Sequence, residues 1–407
     1  MKKIILPMIK LIIATVLVTL MAFGGGFQLN ETGARAMAQG GAFVARASDP
    51  SAIYFNPAGL SFQGSSLYLG TTLITPNVSF FGPSNYSMNT ETKMVDQTFT
   101  PINVYGVYQV TNDLHIGLGV TNPYGLGTEW PAGWIGQYVS QKIDLQSFYI
   151  TPTVAYKVSD QLSLGVGVNY VMGSVKMKLA TSIPFNSPPP IVTLDLTATG
   201  VGFNGGVIYK PTRELSIGAS YRSAVKLDAT GSASFDPNYS VLNLPTGDAA
   251  ASIELPATAF FGASYKVMDN LEVEADYQYV GWSSYKELKI EFKADPTKNK
   301  VSPKDYVDTY ILRVGAEYTM GDLQVRAGYL YDRTPVTEQY DEPLLPDANR
   351  NGYTVGLGYN LTESLRMDAT YFFLKFDQRK VENTVISFDG TYNSSATLIG
   401  INVGYTF

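Results

Sequence analysis

Several residue types on which functional sites are often built are scarce in this sequence of 407 residues. Cysteine is absent, which excludes disulfide frameworks and thiolate metal sites. His115 is the only histidine, so a metal site made from a histidine cluster is excluded as well. The formal net charge of −6 argues against nucleic-acid partners, which favour basic surfaces. We therefore expect no metal site, no cofactor and no nucleic acid.

Charged residues and long apolar runs are also scarce. Only 16% of the residues are charged, against roughly 25% in a typical soluble domain. Beyond the N-terminus no apolar run approaches the roughly 18 residues of a transmembrane helix. Hydrophobic residues nevertheless make up 45% of the chain, diluted by Gly, Ser, Thr and Asn. This composition indicates alternating strands rather than apolar helices.

The first 24 residues are typical of a secretory signal peptide. Lys2, Lys3 and Lys10 form the positive region, residues 11–20 the apolar region, and Ala-Phe-Gly at 22–24 a small-x-small cleavage site. The alternative is a transmembrane anchor, but such a span needs about 20 residues and this apolar run is shorter. We predict cleavage after Gly24.

A tyrosine, a short polar turn and a leucine recur together six times along the chain. The intervals between the tyrosines, 41 to 56 residues, are too long and too uneven for a solenoid. They suit two strands, one long loop and one short turn. The six tyrosines are Tyr108, Tyr156, Tyr209, Tyr265, Tyr318 and Tyr359.

The run that follows each turn alternates between apolar and small or polar residues. From Leu162 to Tyr170 every second residue is apolar. Because successive side chains of a strand leave opposite faces, a period of two indicates half-buried strands. A soluble β-sandwich also alternates, but tyrosines at the turns match the aromatic girdle of a membrane barrel. The pattern predicts an all-β fold, a transmembrane antiparallel β-barrel.

The six turns also give a strand count. They join twelve strands, and a first strand near 67–77 and a last near 396–407 make fourteen. The sheet must close, because hydrocarbon offers no partner to an open edge. The last strand ends on Phe407, which is typical of strands that the outer-membrane assembly machinery recognises. We expect residues 65–407 to form the barrel in the bacterial outer membrane, with both termini periplasmic.

Residues 25–64, called here the hatch segment, do not follow the barrel rhythm. They are rich in Gly and Ala and carry the aromatic residues Phe27, Phe43, Tyr54 and Phe55. Aromatic residues suggest a packed piece rather than an exposed tail. The hatch segment is therefore predicted to plug the lumen.

An ordered series of motifs resembles the FadL family of long-chain fatty-acid and hydrocarbon transporters. It opens with G-G-F-Q-L-N-E, which includes Phe27, and continues with N-P-A at Asn56, Pro57 and Ala58. It covers essentially the whole chain after residue 24. Later members are N-P-Y-G-L-G-T-E-W from Asn122, Y-R-S-A-V-K-L-D-A-T-G from Tyr221, L-P at Leu255, W-S at Trp282, D-R-T-P-V from Asp332 and L-P-D from Leu345.

The resemblance implies passive uptake of hydrophobic molecules, most of all long-chain fatty acids, with aromatic hydrocarbons as the other class. It implies a monomer whose neighbours are membrane lipid and lipopolysaccharide. The ligand would leave sideways where the third strand kinks, which maps to Thr121, Asn122, Pro123, Tyr124 and Gly125. Proline cannot donate to the ladder and glycine tolerates unusual backbone angles, so these residue types suit a kink.

Basic residues that meet a ligand carboxylate in some family members do not transfer to this chain. The aligned position is Leu179, with Lys176 and Lys178 in the wrong phase, and Lys293 is a loose match. Neutral hydrocarbons therefore stay open as substrates.

The alternative functions are a general porin or a surface-binding barrel. An enzyme is not expected, because no serine or carboxylate constellation accompanies His115. Trp130 and Trp134 follow the kink and are interpreted as ligand contacts or as interface anchors. Inward charges on the later strands are interpreted as a stiffening network rather than an ion-selective constriction. They are Glu272, Glu274, Asp276, Arg313, Glu317, Arg326, Arg366 and Asp368.

Overall fold

The computed structural model describes residues 25–29, 32–86, 88, 90–181 and 189–407. The predicted signal peptide lies outside these residues. The described part of the chain forms a closed antiparallel barrel of fourteen strands, as the repeat predicts. Within the same residues, no helix has the length and apolar character needed to cross a membrane.

Closure of the barrel comes from the pairing of the first strand with the last. β1 pairs with β14 over its whole length, from Ser66↔Thr406 to Phe81↔Thr391. The strands are β1 Ser66–Phe81, β2 Ile102–Gln109, β3 Leu114–Thr121 and Gly125–Glu129, β4 Lys142–Lys157, β5 Leu162–Ala180, β6 Ile191–Tyr209, β7 Leu215–Arg222 and Val225–Asp236, β8 Gly247–Leu255 and Thr258–Met268, β9 Leu271–Val280, β10 Thr309–Met320, β11 Leu323–Asp332, β12 Arg350–Asn360, β13 Leu365–Phe376 and β14 Gly390–Thr406.

Four short strands extend the sheet beyond the main strands. Glu91–Lys93 pairs with β1 and Arg379–Val381 with β14. Glu287–Phe292 pairs with the first segment of β8, and Lys300–Pro303 pairs with Glu287–Phe292. Glu287–Phe292 and Lys300–Pro303 therefore continue the sheet between β8 and β10, on the side of the long loops.

The predicted turns and alternation are confirmed. Each of the six tyrosine–leucine motifs joins two consecutive barrel strands through a short connection. On β5, Leu164, Val166, Val168 and Tyr170 are exposed on the outer surface, whereas Ser163 lies fully buried on the other face. β1 and β14 are longer than predicted, because pairing with each other extends both toward the long loops.

The hatch segment packs against the inward faces of the strands. It contains two short α-helices, α1 Ala34–Met37 and α2 Ala52–Phe55, and a 3₁₀ helix Pro57–Phe62. Glycines on the inward faces of the strands leave space for the hatch segment. A Cβ on Gly218 would lie 2.3 Å from the Val44 carbonyl oxygen. β1 begins at Ser66, after this packed segment ends.

Candidate functional site

Asn56 joins the hatch segment to itself and to the barrel. Its side chain is fully buried, and its Nδ2 donates to the carbonyl oxygens of Val44 at 2.9 Å and of Val207 on β6 at 3.0 Å. Its Oδ1 accepts from the Ala58 N–H at 3.2 Å. Pro57 opens the 3₁₀ helix, where its fixed backbone angle and missing N–H carry no cost. One amide thus fixes the end of the hatch segment against the wall.

The kink of β3 is paired with the hatch segment. β3 is interrupted at residues 122–124. The Leu29 N–H donates to the Pro123 carbonyl oxygen at 2.8 Å, and the Gly125 N–H donates to the Phe27 carbonyl oxygen at 2.9 Å. An antiparallel bridge joins Gln28 to Tyr124. The predicted hatch and kink residues are therefore in direct backbone contact.

Side chains of the kink form hydrogen bonds with the strands on either side of it, β2 and β4. Asn122 Oδ1 accepts from the Ile102 N–H at 2.9 Å, and its Nδ2 donates to the Ser147 carbonyl oxygen on β4 at 2.8 Å. The Tyr124 hydroxyl crosses to the interruption of β8 and donates to the Pro256 carbonyl oxygen at 3.0 Å. Gly125 does not use the left-handed backbone that its residue type permits. The interruption of β3 therefore needs no left-handed glycine here, and the hatch segment supplies backbone partners to this stretch.

Beside the kink, the wall lacks regular pairing. β2 pairs with β3 as far as Asn103↔Thr121, and in the described part of the chain no register joins β2 to Gly125–Glu129. A backbone hydrogen bond from the Val95 N–H to the Glu129 carbonyl oxygen at 2.8 Å connects this edge to the residues before β2. The Phe99 ring fills the space and lies 2.4 Å from where a Cβ of Gly127 would be. A side chain, rather than a ladder, covers this part of the wall.

An apolar cavity lies behind the kink. The volume inside it that the centre of a water-sized sphere can reach is about 80 Å³. Phe27 and Leu126 line it at the kink, and aliphatic side chains of β4 to β8 line much of the rest. The Phe27 ring packs edge-on against Trp282, with ring centres 4.6 Å apart, and against Tyr285 at 5.7 Å. Predicted hatch and kink residues therefore meet at one end of this cavity.

Polar groups enter the cavity wall from the long loops as well as from the strands. Tyr285 and Tyr306 line it, and burial raises the pKa of both phenols well above the ordinary value, so both stay neutral. Lys304 and Glu342 also line it and form an ion pair with each other. Sequence reasoning missed all four, because they follow no strand periodicity. The one signal of them in the sequence was their position in loops that also carry aromatic residues.

The positions that align with the carboxylate site of some family members lie outside this cavity. Lys176 is half exposed and pairs with Asp195 at 3.5 Å, and Lys293 pairs with Glu291 at 3.0 Å. Leu179 packs at the edge of the apolar core. Neither these residues nor Lys178 belong to the described cavity lining.

Trp130 and Trp134 occupy a buried position that neither interpretation anticipated. Their rings stack 4.4 Å apart, and both are at most 5% exposed. The Trp130 indole N–H donates to the Pro343 carbonyl oxygen at 2.9 Å, and Trp134 packs on Phe80 and Phe388. They are therefore not interface anchors. They join the outer loops above the cavity.

The inward charges pair with one another and with the hatch segment. Glu317 lies 3.0 Å from Arg35 and 2.5 Å from Arg326, and Arg326 lies 2.7 Å from Asp368. Asp276 accepts from the Phe43 N–H at 2.8 Å. Such mutual neutralisation supports the stiffening interpretation over an ion-selective constriction.

His115 has a structural partner. It is 1% exposed, and its Nε2 lies 2.9 Å from the Gln63 carbonyl oxygen. Within the described residues no group of His, Cys, Asp and Glu side chains could hold a metal ion. The ring connects β3 with Gln63, three residues before β1 begins.

The chain is similar to known proteins over nearly its whole length. Residues 15–407 match the family described as outer membrane protein transport protein (OMPP1/FadL/TodX). The long-chain fatty acid transport protein of Salmonella typhi is 25% identical over 430 residues, covering 98% of each chain. The 47 kDa outer membrane protein of Pasteurella multocida is 27% identical over 417 residues, covering 95% of each chain.

Solved structures show the same fold. A Pseudomonas aeruginosa FadL homologue superposes with a TM-score of 0.83 at 20% identity, covering 94% of this chain and 100% of the other. The Ralstonia pickettii toluene transporter TbuX gives 0.70 at 20% identity, covering 93% and 99%. The relatives are transport proteins rather than enzymes. The chain therefore belongs to the OMPP1/FadL/TodX family of outer-membrane transport proteins.

Proposed function

We propose that this barrel takes up hydrophobic molecules across the outer membrane without an energy source and releases them sideways through the wall at the β3 kink. A ligand would enter between the outer loops and occupy the apolar cavity. It would then pass Phe27 and Leu126 and leave beside Phe99. The observation that carries the proposal is the contact of the apolar cavity with the irregular stretch of wall at residues 122–129.

The energetics favour a lateral route. Lipopolysaccharide blocks direct entry from outside, and release into periplasmic water would cost about 0.8 kcal/mol for each exposed CH₂ group. A path through the wall keeps the ligand in apolar surroundings. The Phe99 side chain and the backbone hydrogen bond between Val95 and Glu129 would have to move, whereas no ladder closes this stretch among the described residues.

The hatch segment would plug the barrel, with Asn56, Pro57 and Ala58 holding it. Its burial within the lumen supports a plugged transporter over a general porin, which needs an open water path. The protein would act as a monomer with periplasmic termini, after removal of residues 1–24 and insertion by the outer-membrane assembly machinery.

Deletion of residues 122–124 tests the lateral route. It joins Thr121 directly to Gly125, and Leu126 and Thr128 then alternate inward as in a regular strand. We expect uptake of hydrophobic compounds by cells to fall at least about tenfold, while the purified barrel still binds ligand. The matched control deletes the exposed residues 296–298 from another outer loop. Unchanged uptake, or equal loss of binding and uptake, would contradict the lateral route.

A further inference from the structure

Two charged side chains, one of each sign, line the apolar cavity among the described residues, and they neutralise each other. Lys304 follows the short strand Lys300–Pro303, and Glu342 lies in the loop between β11 and β12. Lys304 Nζ contacts Glu342 Oε1 directly. The two side chains are 4% and 13% exposed, so water screens the pair little.

The ion pair between Lys304 and Glu342 affects which ligands the cavity can bind. A carboxylate on a hydrophobic ligand needs a hydrogen-bonded cation once it leaves water. In this cavity the lysine already holds a carboxylate of the chain itself. The more accessible partner is Glu342, so an incoming anion meets a like charge before it reaches Lys304.

Other lysines of the outer half do not replace Lys304. Lys142 pairs with Glu129 at 2.5 Å, and Lys226 with Asp228 at 3.0 Å. Neither belongs to the described cavity lining. The internal residues outside the described ranges include no lysine or arginine in the sequence.

We propose that Glu342 acts as an internal counter-ion to Lys304 and makes the cavity selective for uncharged hydrophobic molecules over carboxylates. This inference rests on the proposed transport function and names its substrate class. It revises the expectation from sequence that long-chain fatty acids are preferred. Glu342 is a specificity-determining residue, since removing its charge would free Lys304 to bind an anionic head group.

The test compares methyl decanoate with decanoate, which share a chain and differ in charge. Binding of the radiolabelled compounds to the purified full-length mature barrel is measured at about pH 8, where the free acid is ionised. Partition into protein-free micelles gives the free concentrations. We expect the native protein to bind the ester at least about tenfold more tightly than the acid. Glu342→Gln should tighten acid binding about tenfold or more and change ester binding less than about twofold.

Glu338→Gln makes the same chemical change at an exposed position of the same loop, and it should behave as the native protein. Decanoate should also raise the melting temperature of Glu342→Gln but not of the native protein, because only the variant leaves Lys304 unpaired. If Glu342→Gln does not fold, the double variant Lys304→Met with Glu342→Gln removes both charges together. It should keep ester binding and the weak acid binding of the native protein.

The outcomes separate the two proposals. Equal binding of acid and ester by the native protein, or acid binding unchanged in folded Glu342→Gln, would overturn the charge selection and leave hydrophobic uptake standing. A gain of acid binding in the double variant would also overturn it. Failure of the native protein to bind either compound would overturn the transport cavity, and the selection with it.

Discussion

Replacing Asn56 by alanine should undock the hatch segment without opening the barrel. The change removes hydrogen bonds to the Val44 and Val207 carbonyl oxygens and from the Ala58 N–H. Alanine is smaller, and the neighbouring Gly206 already lies against the Asn56 amide, so no clash arises. Asn56 belongs to no strand, so the ladder between β1 and β14 keeps its pairing.

The magnitude follows from these three bonds. Each buried hydrogen bond contributes about 1 kcal/mol, so their loss weakens docking by roughly 2–4 kcal/mol. The undocked population should rise by a factor of roughly 30 to 700. Residues 27–29 at the other end of the hatch segment pair with the kink, so displacement of this segment should lower uptake as well.

Hydrogen exchange measured by mass spectrometry provides the assay. Amides of residues 43–62 should exchange faster in Asn56→Ala, whereas amides of the strands should keep their protection. Asn238→Ala, the same substitution in an exposed outer loop, is the control and should change neither. The reasoning is refuted if exchange in residues 43–62 is unchanged, or if the strands lose protection to the same extent.

Three further predictions concern the hatch segment and its N-terminus. Deleting residues 25–60 should make the folded barrel conduct ions in planar bilayers; conductance no higher than that of the full mature chain would remove the plug assignment. Gly218→Val should also raise conductance, because its Cβ would lie 2.3 Å from the Val44 carbonyl oxygen, whereas Gly205→Val, with ordinary contacts, should not. Cleavage after Gly24 should give a mature mass that starts at Gly25. Its amino group should resist amine-reactive reagents in the folded protein, because Gly25 is buried and its nitrogen lies 3.2 Å from Asp332 Oδ2; rapid labelling would count against this placement.

The sequence by itself determined the barrel. The period of two and the six tyrosine–leucine turns are local features, and each strand faces lipid on one side, so the outward pattern must be apolar wherever the strand lies. The count of fourteen strands followed from those turns, and the structure confirms it. The hatch segment was visible only as a departure from that rhythm.

Only the tertiary structure decided what the irregular residues do. The sequence pointed to residues 121–125, but not to their hydrogen bonds with Phe27 and Leu29, which are nearly a hundred positions away. The contacts of Phe99 with Gly127 and of Lys304 with Glu342 likewise join residues from separate segments of the chain. Such contacts follow no period in the sequence, because closure of the sheet brings residues that are distant in the chain together at one end of the lumen. The physical reason is that strand patterning reports which side faces lipid, whereas the chemistry of the cavity depends on which loops meet inside.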